Sequence, residues 1–370
     1  ECPGTPDENL SRITVQHLLT MSCGIHENTY SDLFVQDNWV EAFLNQSFPH
    51  EPGTFYRYST HCSHMLSAII TKVSGLSLEH FLNRYLFYPM EIYEAQWELS
   101  PEKLTAGGMG LSLYPMSLVK IAQLLLKEGS YNGSQLISKE YLKMAVTQQI
   151  IKQGDINNPD SEFSGNGYGY QFHIGKDGYY RMDGAFGQLC LLCPDKKKAV
   201  IVFSQYSKTE ALLSLIYKHL LNDTECCCAY IENTRPEKNA AAVDAVIPCS
   251  NFRLEDNILG IKYVEFLPSC NEYLVKLCYA EYTDSIRFSL LQETSGKMNF
   301  LKDLQVHKQE YYCEAVFNEV LILKIYFIET PYVAVYRFSF YGNKLRFEFS
   351  INVSFTLKDF AVDGFLVEER

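Results

Sequence analysis

Through roughly the first three-fifths of the chain apolar residues recur at three- and four-residue spacing, and through the remainder they alternate with polar ones. A mostly helical part is therefore followed by a stranded part. Helices are predicted over 39–44, 61–73, 78–86, 118–126, 141–146 and 211–221, the second stopped by Gly75. Between them, 168–173, 178–182, 188–192 and 199–204 read as strands of an antiparallel sheet, with a charged turn at Asp195-Lys196-Lys197-Lys198.

A charged, Pro-containing stretch at 233–239 reads as linker, which gives expected boundaries of 1–225, 226–240 and 241–370. Beyond it, 262–266, 273–279, 286–291, 320–328, 333–340 and 345–351 alternate and are rich in aromatics, with a turn at Tyr341-Gly342-Asn343-Lys344. At least six short strands predict a β-sandwich or small barrel. The expected fold class is α+β: an antiparallel sheet flanked by helices, plus an all-β C-terminal domain.

Composition changes the picture mainly by exclusion. A chain of 370 residues with 47% hydrophobic content is long enough for two cores. Its net charge of -12, spread over both halves, makes nucleic acid and anionic membrane surfaces poor partners. No apolar stretch approaches the roughly 18 residues that would suggest a membrane span. Of the 12 cysteines, Cys190 and Cys193 lie three apart in a strand and so face opposite ways, unable to clamp one metal ion. Free thiols in a reducing, cytoplasmic compartment are expected. His61 and His64 lie one turn apart, without a third ligand, and read as capping or packing residues rather than a metal site. Gly107-Gly108-Met109-Gly110 lacks the Lys-Ser/Thr of a phosphate-binding loop. No cofactor or metal is expected.

The candidate chemistry lies in Pro52-Gly53-Thr54-Phe55-Tyr56-Arg57-Tyr58-Ser59-Thr60, directly before the helix at 61. This run, with Ile13-Thr14-Val15-Gln16-His17-Leu18-Leu19-Thr20-Met21-Ser22-Cys23-Gly24 before it and Phe87-Tyr88-Pro89-Met90-Glu91-Ile92 after it, resembles the penicillin-binding serine hydrolases. That superfamily includes class C β-lactamases, D-alanyl-D-alanine carboxypeptidases and related esterases. Gly107-Gly108-Met109-Gly110-Leu111-Ser112-Leu113, Gly167-Tyr168-Gly169-Tyr170-Gln171-Phe172 and Met182-Asp183-Gly184-Ala185-Phe186-Gly187-Gln188 continue the series in order, so the resemblance spans about residues 5–222. Residues 327–332 and 352–355 resemble the C-terminal domain appended to some bacterial members, read here as a folding or docking platform ahead of a ligand-binding module.

The resemblance implies three elements. The first is a Ser-x-x-Lys at a helix start, where a lysine one turn on takes the serine proton during attack on a carbonyl. In the family it precedes the stretch matching 13–24 by several tens of residues, so the chain is expected to be an N-terminally shortened form without its nucleophile. Ser117-Leu118-Val119-Lys120 has the spacing, but reads as a helix N-cap and a solvated lysine; Ser100-Pro101-Glu102-Lys103 reads as a helix start. The second element is a Tyr-x-Asn loop. Here Tyr58 matches the tyrosine, a proton relay, while Thr60 stands in place of Asn. The third is a Lys/His-x-Gly strand, matched by Met182-Asp183-Gly184, which has lost the cation that holds a substrate carboxylate. Gly184 would let substrate lie against the backbone, and amides near Ala185 and Phe186 would form half of an oxyanion hole. Asp183 would bind a substrate amine, or else Asp183-Gly184 is a β-turn in the hairpin 180–190. Two functions follow: a serine hydrolase of esterase or D-amino-acid peptidase type taking a small-molecule or peptide substrate, or a non-catalytic relative that binds a peptide or cell-wall fragment.

Overall fold

The computed structural model describes residues 8–26, 35–152, 163, 165, 167–206, 208–221, 247–268, 272–302 and 305–367. The linker expected at 233–239 lies outside these residues. The chain divides into two compact units, Glu1–Cys226 and Cys227–Arg370.

Among the described residues of the first unit the α-helices are α1 (Val15–Leu19), α2 (Trp39–Leu44), α3 (Thr60–Ser74), α4 (Leu78–Leu82), α5 (Pro115–Leu126), α6 (Lys139–Ala145) and α7 (Thr209–Ile216). Four of them begin at a side chain that supplies an acceptor to the orphaned first-turn amides. The Thr14, Asn38, Ser77 and Ser138 side chains accept from the third residue of α1, α2, α4 and α6. α3 ends at Gly75, whose φ of 72° closes the last turn at no steric cost.

Six strands among the described residues form one antiparallel meander: β1 (Ile150–Ile151), β2 (Gly167–Tyr168), β3 (His173–Ile174), β4 (Tyr180–Gly184), β5 (Gln188–Cys193) and β6 (Lys198–Val202), in spatial order β6-β5-β4-β3-β2-β1. Period-two alternation loads both faces. Tyr179, Leu189, Leu191 and Cys193 pack with Leu213 and Ile216 of α7. On the other face Tyr180, Cys190 and Leu192 pack with Ala122 and Leu125 of α5 and Leu142 of α6. Cys190 and Cys193 thus lie on opposite faces, as their spacing requires. A third core joins Leu18, Met21, Phe43, Phe48, Cys62 and Tyr168 beneath α1, α2 and α3.

Four local expectations fail for identifiable reasons. Residues 168–173 are not one strand but a tight hairpin, because Gln171 takes a left-handed φ of 64° and Gly169 N–H bonds Phe172 O at 2.8 Å. Ser117 is not an N-cap: Tyr114 holds that place with Pro115 after it, and Ser117 instead donates to Glu94 Oε1. Lys120 is not merely solvated, since its Nζ donates to the carbonyls of Met90 and Glu91 at 3.1 and 2.8 Å. Ser100-Pro101 starts no helix; Lys103 N–H bonds Ser100 O and closes a turn.

The second unit contains ten strands among its described residues: β7 (Ser250–Leu254), β8 (Tyr263–Pro268), β9 (Tyr273–Cys278), β10 (Thr283–Phe288), β11 (Thr294–Leu301), β12 (Val306–Asn318), β13 (Val320–Phe327), β14 (Val333–Tyr341), β15 (Lys344–Ile351) and β16 (Phe360–Leu366). Every sheet neighbour is antiparallel, in the order β10-β9-β8-β7-β16-β15-β14-β13-β12-β11. The sheet is a nearly closed barrel, which decides between the two expected all-β forms. Its inside is filled: Phe266 of β8 meets Phe338 of β14 at 5.1 Å between ring centres, four positions away along the sheet.

The end strands β10 and β11 are joined by side chains. Asp284 accepts from the backbone and side-chain nitrogens of Asn299 at 3.2 and 3.1 Å, and Thr294 Oγ1 donates to Arg287 O at 2.6 Å. The hydroxyl of Tyr311, from β12, accepts the N–H of Arg287 on β10 at 2.9 Å. To arrive there its ring passes over Gly296, its register partner on β11, where a Cβ would lie 2.5 Å from the hydroxyl and 2.7 Å from Cζ. Gly296→Val is therefore expected to lower stability by about 1–3 kcal/mol, read as an earlier urea midpoint for the unit. Tyr311→Phe, which keeps the ring and loses the bond, should cost only about 1 kcal/mol.

Candidate functional site

The site is built where the start of α3 meets β3 and β4. Arg57 N–H bonds Met21 O at 2.9 Å and Ser59 N–H points at Met21 Sδ at 3.5 Å, which fixes the chain on both sides of Tyr58. From the other direction Gly107 and Gly108 press on the first turns of α3: a Cβ at Gly107 would meet Ser63 O at 2.7 Å, and one at Gly108 would strike Thr60 O. The glycine-rich loop thus serves close packing against a helix start.

Tyr58 is 39% exposed, and its ring stacks on His173 with centres 6.2 Å apart and planes at 24°. Tyr168 meets His173 edge-on at 5.0 Å. Register explains the grouping, since His173 pairs with Tyr168 across the β2–β3 hairpin and with Arg181 on β4. Arg181 and Asp183, two apart, share that face, with Arg181 Nε bonded to Asp183 Oδ2 at 3.0 Å. His173 Nε2 lies 3.9 Å from the same oxygen. Nδ1 of His173 and Oδ1 of Asp183 are buried and have no hydrogen-bond partner among the described residues.

Burial governs the charges. It pushes the Tyr58 phenol up, and the Asp183 carboxylate, then Cys62, push in the same direction. Burial holds His173 well below the usual imidazole range, helped by Arg181 and Lys152. Asp183 is raised by burial, with the cations of Arg181 and Lys152 opposing. Near neutral pH the group therefore presents a protonated phenol and a neutral imidazole.

The sequence-derived residues fall into two sets. Tyr58 and Asp183 lie around His173. Gly184 ends β4 opposite Gln188, so Asp183-Gly184 is strand, and the hairpin turn is Ala185-Phe186-Gly187. Within that turn Phe186 has a φ of 64°, its carbonyl accepts Tyr206 N–H at 2.9 Å, and Ala185 O accepts from Gln188 Nε2. Thr60 is buried at the start of α3, facing Gly108. Met182 points away and packs with Cys190 against the α5 face. His173 was not among the expected residues. Its signal is the hairpin: in a continuous strand Tyr168 and His173 would face opposite ways, whereas the turn sets them side by side.

His61 and His64 are both buried in the first turns of α3. His64 Nδ1 lies 3.0 Å from Ala106 O and Nε2 3.0 Å from Glu102 Oε1. That carboxylate oxygen also accepts the N–H groups of Trp39 and Val40 at the start of α2, at 3.1 and 3.3 Å. No group of three or more His, Cys, Asp or Glu residues could hold a metal ion among the described residues. Nor is any helix among them long and apolar enough to cross a membrane.

A family model described as Beta-lactamase matches residues 3–221. The chain belongs to the beta-lactamase family. Matching solved structures include an octameric penicillin-binding protein homologue from Pyrococcus abyssi, 16% identical, covering 97% of this chain and 82% of that one at a TM-score of 0.44. A penicillin-binding protein from Bacillus halodurans is 16% identical over 56% of this chain and 73% of its own, at a TM-score of 0.44. A Bacillus anthracis protein described as a candidate 6-aminohexanoate-dimer hydrolase is 18% identical over 55% of this chain, with a TM-score of 0.46, and the chain spans 60% of its length. A search of curated proteins finds no match.

A pH dependence follows from His61. Burial first, and the neighbouring His64 second, lower its pKa to about 3. The unfolded chain takes up this proton below about pH 6.5 and the folded chain does not, so this contribution to stability is complete above pH 6.5 and is lost as pH falls toward 3. The slope is about 1.4 kcal/mol per pH unit. Melting temperature is expected to drop across that window, and His61→Leu should flatten the acid limb; an equally steep limb in the variant would remove His61 as its source.

Proposed function

We propose that this beta-lactamase-family chain carries the proton-relay part of a serine hydrolase of the esterase or D-amino-acid peptidase type, working through an acyl-enzyme. The observation that carries the reading is the stack of Tyr58 on His173 with Asp183 at 3.9 Å from the imidazole. A phenol held protonated beside a neutral imidazole is suited to hand a proton to a leaving group. In this reading Tyr58 is the donor, and His173, stacked on its ring, orients it. Asp183, held by Arg181, fixes the imidazole.

The substrate class follows from what surrounds that group. Met182 leaves the family's carboxylate-holding position without a cation, which favours an ester or an amine-bearing amide over a carboxylate-bearing lactam. Thr60, Gly184, Ala185 and Phe186 are assigned to the substrate side, the last two as oxyanion donors. The nucleophile is assigned to a serine outside the described residues. Ser117 is engaged by Glu94 and Lys120 by two carbonyls, so that pair lacks the serine–lysine contact the chemistry needs.

The competing reading, a non-catalytic relative that binds a peptide or cell-wall fragment, draws on the raised Tyr58 pKa, the reverse of what a phenolate base requires. The two separate on the full-length gene product with a short-chain nitrophenyl ester. The hydrolase reading expects turnover, with Tyr58→Phe lowering kcat/KM by about 10²-fold or more and His173→Gln shifting the pH–rate profile. An unchanged rate in Tyr58→Phe would take the phenol out of the mechanism. Absence of turnover, with saturable thermal stabilisation by muropeptides, would favour the binder.

A further inference from the structure

We propose that Cys23 and Cys62 are a redox site: hydrogen peroxide converts the facing thiols into a reversible disulfide that fixes the segment carrying Tyr58. The two sulfurs lie 3.2 Å apart, on positions 39 residues apart in sequence. Both side chains are buried, at 2% and 0% exposure, and both are free thiols. Bond formation at about 2.05 Å needs an approach of little more than 1 Å, within reach of small side-chain rotations.

The surrounding backbone holds the pair in register. Met21 O accepts from Arg57 N–H, Ser22 O from Gly53 N–H and Gly24 O from His50 N–H, so Cys23 sits within a stretch tied to 50–57 at three points. Cys62 follows in the first turn of α3, its N–H bonded to Ser59 O at 3.1 Å. A bond between the sulfurs would tie this stretch to the helix start on the far side of Tyr58. The apolar surroundings, which include Met21, Ile25, Phe43 and Phe48, disfavour bulky charged oxidants and leave the pair to a small neutral peroxide.

The thiol–thiol hydrogen bond lowers the Cys23 pKa, which makes Cys23 the attacking sulfur. Its sulfur displaces one oxygen of the peroxide, the O–O bond breaks, and one water leaves with the displaced oxygen, giving a sulfenic acid. The Cys62 sulfur then attacks Cys23 sulfur, the S–O bond breaks and a second water leaves. Two thiols and one peroxide thus yield one disulfide and two waters. The two sulfurs lose two electrons and the two peroxide oxygens gain them.

The test exposes the full-length protein to hydrogen peroxide, alkylates remaining thiols after denaturation, and maps the peptides by mass spectrometry. The expected product has lost two hydrogens, contains a Cys23–Cys62 peptide pair, reverts with dithiothreitol and melts several degrees higher because a loop of 39 residues is closed. Amide exchange over 57–62 should slow in the oxidised form. Cys23→Ala, checked by circular dichroism for its fold, should lose the cross-link. The site would be overturned by alkylated Cys62 under conditions that oxidise exposed Cys249, or by sulfinic acid at Cys23 without a partner. A cross-link with unchanged exchange over 57–62 would overturn its effect on the Tyr58 segment.

Discussion

The alternation of side chains along β4 decides what the site contains. Its pairing with β5 sets Met182 against Cys190 and Asp183 against Leu189, so consecutive residues of one short strand serve different neighbours. Met182 joins the core beneath α5, while Arg181 and Asp183 turn to the face of His173. A slip of one residue would carry the carboxylate into that core and bring the thioether to the site. Burying a guanidinium and a carboxylate costs several kcal/mol per ion unless each is paired, so the Arg181–Asp183 contact is a condition of this register.

The start of α3 is the second support, and two unlike devices hold it. One is steric: glycines at 107 and 108 let a loop come within contact of the helix backbone. The other is electrostatic, the Glu102 carboxylate joining His64 of α3 to the first amides of α2. Because one oxygen serves both helices, a change at Glu102 reaches the segment before Tyr58 through packing as well as through charge.

Much of the first unit was legible in the sequence, because its landmarks occur in order and its helices carry strong periodicity. The hairpin at 169–172 was not, since nothing in Gly-Tyr-Gln-Phe announces a left-handed Gln171, and with it His173 was overlooked. In the second unit six strands could be read and four could not. Gln309 shows why: it is fully buried, its side-chain nitrogen donating to the carbonyls of Phe300 and Leu301, and it breaks the apolar alternation of β12. Gly296 does the same to β11, and Asp363-Gly364 to β16. In each case a polar or missing side chain meets a need of the barrel that exists only after the strands have come together.

The seam between β10 and β11 has a wider meaning for the barrel. Elsewhere around the ring, neighbouring strands are joined by peptide groups, which every sequence possesses and which leave partner choice open. At this one place the join is made by Asp284, Asn299, Thr294 and Tyr311, so the closure is written in side chains. Such a seam acts as a latch with a combination: it recognises its own opposite edge and offers a foreign strand no matching set of groups, which protects the two ends of the sheet from pairing with the wrong partner.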